Sequence, residues 1–122
     1  MAIKSVLISN PLNPDYATDG VDTILLQVPA EKRYAVTVIM VCNYATPNPA
    51  DDTENATVFD MHFIRSGDAL GDMNKVLGNM PMAAGETFTF DTEKIIIEAG
   101  DSIKINSDSP HVLSATVSFL EL

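Results

Sequence analysis

A chain of 122 residues with seventeen acidic and seven basic side chains carries a formal charge of −10, and its 46% apolar and 20% charged content is an ordinary globular balance. It can bury a core of its own, so disorder over the whole length is excluded, while the negative charge would repel phosphate backbones and disfavours a nucleic-acid partner. No apolar run approaches the ~18 residues of a membrane helix. Cys42 is the single cysteine, which excludes an intramolecular disulfide, and beside Met40 and Val41 it reads as a small buried hydrophobe.

Met1-Ala2-Ile3-Lys4-Ser5 shows none of the basic, apolar and small-residue features of a secretory signal, so the expectation is a soluble protein made in a cytoplasm. Residues 3–9 form a first strand. The prolines of Asn10-Pro11-Leu12-Asn13-Pro14-Asp15 interrupt it, because each lacks a donor and biases its predecessor toward extended geometry. Residues 21–28 follow as a strand, and a turn at 29–33 leads into the longest β run, 34–44. There Val36, Val38, Met40 and Cys42 alternate with Ile39 and Val41, so both faces are apolar and the strand is expected to be central. Residues 45–55 hold Pro47, Pro49, Asp51, Asp52 and Glu54 and no large apolar residue, which marks an exposed loop. Residues 57–65 alternate, with Phe59, Met61 and Phe63 toward a core and Asp60 and His62 toward water. A loop over 66–72 precedes a strand at 75–82 that Gly78 and Pro81 disturb.

Residues 87–90, 94–98, 102–106 and 112–120 are short extended runs separated by turn residues. Glu98-Ala99-Gly100-Asp101 predicts an antiparallel hairpin, since Gly100 can take positive φ without steric penalty. In the last run Leu113, Ala115, Val117 and Phe119 line one face against Ser114, Thr116 and Ser118. About eight short strands with regular turn signals predict one all-β domain over 1–122, a mostly antiparallel β-sandwich of jelly-roll or immunoglobulin-like topology. Residues 1–20 are either an edge strand of that sandwich or an arm exchanged with another subunit.

The residues offer little chemistry. Neither His62 nor His111 sits in a metal-binding spacing, and Asp60 with His62 supplies at most half of a cupin-like iron site. Asp108, Ser109 and His111 are neighbours around Pro110, where turn chemistry is the plainer reading than a nucleophile with its base. The carboxylates Asp51, Asp52 and Glu54 lack the calcium-loop pattern, and no Gly-rich phosphate cradle is present. Asn55-Ala56-Thr57 matches a glycosylation acceptor but is read as accidental without a secretory route. No catalytic residue, cofactor or metal is expected. A small-ligand or carbohydrate-binding module is a rival reading, weakened by the absence of Trp and the few aromatics. Candidate interface residues are Ile3, Val6 and Ile8 on the first strand and the methionines Met73, Met80 and Met82, whose flexible thioethers suit either a contact surface or core filling.

Met80-Pro81-Met82-Ala83-Ala84-Gly85-Glu86-Thr87, then Asp91 through Glu98-Ala99-Gly100-Asp101-Ser102-Ile103-Lys104-Ile105, then Leu113 through Glu121, form a layout that resembles small virion structural proteins of tailed bacteriophages, notably phages of cyanobacteria and marine bacteria. Val28-Pro29-Ala30-Glu31-Lys32-Arg33-Tyr34 and Val41-Cys42-Asn43 are similar to segments flanking an upstream strand of that family. The resemblance spans roughly residues 21–122; the 45–55 loop and the 73–78 segment depart from it. It implies no catalytic residues. It implies a virion protein made in the host bacterial cytoplasm, a capsid decoration or cement protein or else a neck, tail or fibre component. The partners it implies are other virion proteins, the major capsid protein first, and further copies of itself in a homo-oligomer such as a trimer.

Overall fold

The short β-branched and aromatic runs fold as strands in a computed structural model that describes residues 2–8, 23–91, 95–107 and 113–122. Among the described residues nine strands form, β1 (Ala2–Ile8), β2 (Thr23–Gln27), β3 (Arg33–Asn43), β4 (Thr57–Ile64), β5 (Lys75–Met82), β6 (Thr87–Phe90), β7 (Ile95–Glu98), β8 (Ser102–Ser107) and β9 (Leu113–Glu121), with a 3₁₀ turn at Asp72–Asn74. They make two antiparallel sheets. In the first, β1 pairs with β9 and β9 with β3, while β6 and β7 pair with successive stretches of the other edge of β3. The second runs β2-β8-β4-β5. The all-β expectation holds, and β3 is central as its two apolar faces predict.

The sheets share one core. Val36, Ile39, Val41, Val117 and Phe119 from the first sheet meet Leu25, Phe59, Met61, Ile103 and Ile105 from the second, all buried. Each such side chain contributes roughly 1.5–3 kcal/mol on leaving water. Tyr34 and Phe119 stack with ring centroids 4.3 Å apart, and Phe59 meets Phe88 edge-on at 5.9 Å. In β9 the alternation of Leu113, Ala115, Val117 and Phe119 appears as the sequence predicts.

Two expectations about facing need correction. Strict alternation would place Val36 with Val38, Met40 and Cys42, but the β3–β9 register shifts between Val36 and Val38. Thr37 is the extra residue, its Oγ1 donating to the Ser118 carbonyl at 2.9 Å, and such a bulge reverses facing beyond it. Tyr34 and Val36 therefore face inward together with Ile39, Val41 and Asn43, whereas Met40 points outward at 44% exposure. Cys42 lies on that outer side and is partly exposed, not the buried hydrophobe expected from its neighbours. On β4, His62 faces away from the shared core as alternation requires, yet it is buried and not wet.

A third correction concerns connectivity. The 98–101 turn forms with Gly100 at φ 86° as expected, but it does not close a hairpin. β7 pairs with β3, and β8 pairs with β2 and β4, so the turn carries the chain from one sheet to the other.

Asn43, fully buried at the end of β3, holds the opposite end of the sandwich together. Its Nδ2 donates to the carbonyls of Asn55 at 2.9 Å and Met82 at 3.2 Å, and its Oδ1 accepts from the Ala45 N–H at 3.1 Å. Its main chain bonds Gly85 and Glu86, both at 2.9 Å. Gly85 is required there, since it sits at φ 82° and a Cβ on it would lie 2.8 Å from Pro47 Cγ. Asn43→Ala leaves two carbonyls and one N–H without their partner, and we expect a loss of about 2–4 kcal/mol in urea unfolding. A loss below about 1 kcal/mol would show that water replaces the amide.

Candidate functional site

The corner at Gly100 borders an open hollow. The Asp101 N–H donates to the Glu98 carbonyl at 2.9 Å, and the Gly100 N–H to the Val28 carbonyl at 2.9 Å. The Asp101 carboxylate accepts from the Glu98 N–H at 2.8 Å and, at the end of the β4–β8 ladder, from the Ser66 N–H at 2.9 Å. One acidic side chain thus fixes its own turn and ties it to the end of β4. A Cβ on Gly100 would meet the Ser66 side chain, with Ser66 Cβ at 2.7 Å.

Between this corner and β4 lies an open cleft of about 810 Å³, lined by Arg33, Phe63, Arg65, Ile95, Ile97 and Glu98 among others. A second hollow of about 560 Å³ shares Phe63 and Arg65 and continues past Ala69, Met73, Lys75 and Val76. The two form one furrow, with Phe63 held edge-on by Phe90 at 5.9 Å between centroids. Leu70, Met73, Val76 and Ile96, four of the large apolar residues left exposed, lie on or beside it. Both arginines of the chain line it. Arg33 pairs with Glu98, Nε to Oε2 at 3.0 Å, whereas Arg65 has no carboxylate partner among the described residues. Apolar walls beside one available guanidinium suit an amphipathic protein segment bearing a carboxylate.

The residues singled out in sequence fall in several places. Ile3, Val6 and Ile8 stand opposite Leu120, Val117 and Ala115 of β9, in the first sheet of their own chain. Met82 is in the core, Met80 packs against it, and Met73 alone is fully exposed, at the furrow. Asp60 does not converge with His62 on a metal. Its carboxylate accepts from the Asn79 N–H at 2.7 Å and stands 3.9 Å from Lys75 Nζ. His62 lies in register between Lys75 and Lys104, with its Nδ1 buried and unpartnered; two ammonium groups are poor company for a cation. No group of three His, Cys, Asp or Glu suited to a metal occurs among the described residues. Asp108, Ser109 and His111 lie outside them, as does the 10–15 loop.

The acidic loop is internally paired. The Asp51 carboxylate accepts from the Thr53 hydroxyl at 2.6 Å and the Thr53 N–H at 3.0 Å, and Glu54 accepts from the Asn48 amide. These bonds, the hydroxyl first, hold the Asp51 carboxyl below its ordinary range.

Sequence reasoning missed Phe63, Arg65 and Ile96 as neighbours in a furrow. The scarcity of arginine was the one available signal. No protein-family model matches the chain, and no curated protein matches it either.

Two outcomes test these contacts. Gly100→Ala forces a side chain into left-handed geometry, at about 1–2 kcal/mol, and into Ser66; we expect a destabilisation of about 2 kcal/mol or more in chemical denaturation, and near-neutral behaviour would show that the corner relaxes freely. Because the Asp51 value is depressed on folding, its bonds to Thr53 hold the turn above the ordinary carboxylate range and are lost as pH falls through the lowered value. Thr53→Ala should move the Asp51 titration upward in carboxyl-detected NMR; an unmoved titration would remove Thr53 as the cause.

Proposed function

We propose that this chain is a structural protein of a tailed-phage particle, a decoration or cement protein that binds the assembled shell, and that its two-sheet sandwich is of the jelly-roll or immunoglobulin-like kind. The observation that carries the reading is the resemblance running through residues 80–105 and 113–121. Those residues form the end of β5 together with β6, β7, β8 and β9, including the Gly100 corner that borders the furrow. The furrow adds a physical reason. A furrow of mixed apolar and polar lining with a free guanidinium is a place for a neighbouring protein to seat a segment, and no nucleophile with an aligned base accompanies it among the described residues.

In this role the protein acts by mass action. A partner that binds only the assembled shell favours that state by RT ln(1 + [L]/Kd), about 2.7 kcal/mol when free protein stands at a hundred times Kd. The major capsid protein is the expected contact, and several copies of this chain act as a homo-oligomer. Quantitative immunoblotting of purified particles tests the reading. Copies on the order of hundreds per particle are expected of decoration, about six to twelve would assign the chain to neck, tail or fibre, and absence from intact particles would overturn the virion reading altogether.

A further inference from the structure

We propose that the outer face formed by β9, β3, β6 and β7 docks on the same face of a second copy, making a two-fold pair. The Thr37 bulge puts Val38, Met40 and Cys42 on that face, and register places Leu120 and Ile96 beside them on either side of Ala35. Met40 and Ile96 are 44% and 52% exposed. Thr89 and Thr116 flank Met40 on the neighbouring strands, and Ser118 stands opposite Val38.

Charge is what selects the occupant. Past the Arg33–Glu98 pair at one corner, the outward positions of β3, β6, β7 and β9 carry no ionisable carboxylate, ammonium or guanidinium group, in a chain that has 24 charged side chains. The other sheet differs, with Asp60, Lys75 and Lys104 in register around its own outer face. Two copies, each at −10, can approach without desolvating a carboxylate only through a surface free of them. A neutral, apolar and hydroxyl-bearing sheet is complementary to itself, which is the condition for an isologous contact. Three strand positions at about 4.8 Å spacing, β6 and β7 sharing one, and nine residues at about 3.4 Å make a face of roughly 440 Å². Two such faces remove roughly 900 Å², at the small end of protein interfaces, with the sheets packing about 10 Å apart.

This inference deepens the homo-oligomer of the proposed function and rests on it for that role alone, replacing the trimer by a pair. Sedimentation of the purified full chain across micromolar concentrations tests it without any particle, so its failure leaves virion incorporation standing and the reverse holds too. Cys42, the single thiol, reports on the face directly. Expected are a mass of two copies, alkylation of Cys42 that slows several-fold as concentration rises, and at least tenfold weaker association in Met40→Lys and in Thr116→Glu with unchanged circular dichroism; if one variant misfolds, the other decides. A monomer at all concentrations, a mass of three copies, or an oligomer indifferent to the folded variant with constant Cys42 reactivity would each overturn it.

Discussion

A single extra residue in β3 governs how the molecule presents itself. Without the bulge at Thr37, the inward set that begins with Tyr34 and Val36 would continue through Val38, Met40 and Cys42, and Ile39, Val41 and Asn43 would turn to the outside. With it, the strand keeps five inward residues, Tyr34 and Val36 before the register step and Ile39, Val41 and Asn43 after it. The step costs one position of the ladder, and the Thr37 hydroxyl returns a bond to the Ser118 carbonyl. In exchange Asn43 reaches the interior, where it satisfies main-chain groups that would otherwise be buried bare.

The chain changes sheets at most of its connections, and each crossing leaves backbone groups outside a ladder. Short polar side chains resolve this at both ends of the sandwich. Asn43 serves the end where β3 stops, and Asp101 serves the end where β7 turns into β8. Both reach from their own strand end to a segment distant in sequence. Both therefore link local turn geometry to the packing of one sheet on the other, and loosening either would free the edges that border the furrow and the loop at 45–56.

Much of this architecture was legible in the sequence, and the exceptions share a cause. The alternation of β9, the inward Phe59 and Met61, the central place of β3 and the Gly100 turn all follow from side-chain period and local backbone preference. What failed was anything set by pairing between distant segments. A turn signal states that the chain reverses, not which strand it meets next, so Glu98-Ala99-Gly100-Asp101 read as a hairpin when it is a corner. His62 alternates onto an outer face and is buried all the same, because burial there depends on neighbouring strands. The furrow draws on residues near 33, 65 and 96, a constellation that no local pattern encodes.

The distribution of charge ties fold to function. The Ala45–Asn55 region and the turns near Asp68, Asp72 and Asp101 carry acidic groups at the edges and ends of the sandwich, where solvent or a main-chain N–H receives them. Sheet faces are then left to other work. Past Arg33 and Glu98 the outward positions of β3, β6, β7 and β9 are neutral, the other sheet sets Asp60, Lys75 and Lys104 in register around a buried imidazole, and the furrow at Phe63 mixes apolar and polar walls with an arginine available. A protein whose carboxylates were spread evenly would be equally soluble but would offer no surface that a neighbour could cover without stripping water from an anion. Among the described residues, a stretch of sheet without carboxylates is what would let so acidic a domain be covered by a neighbour.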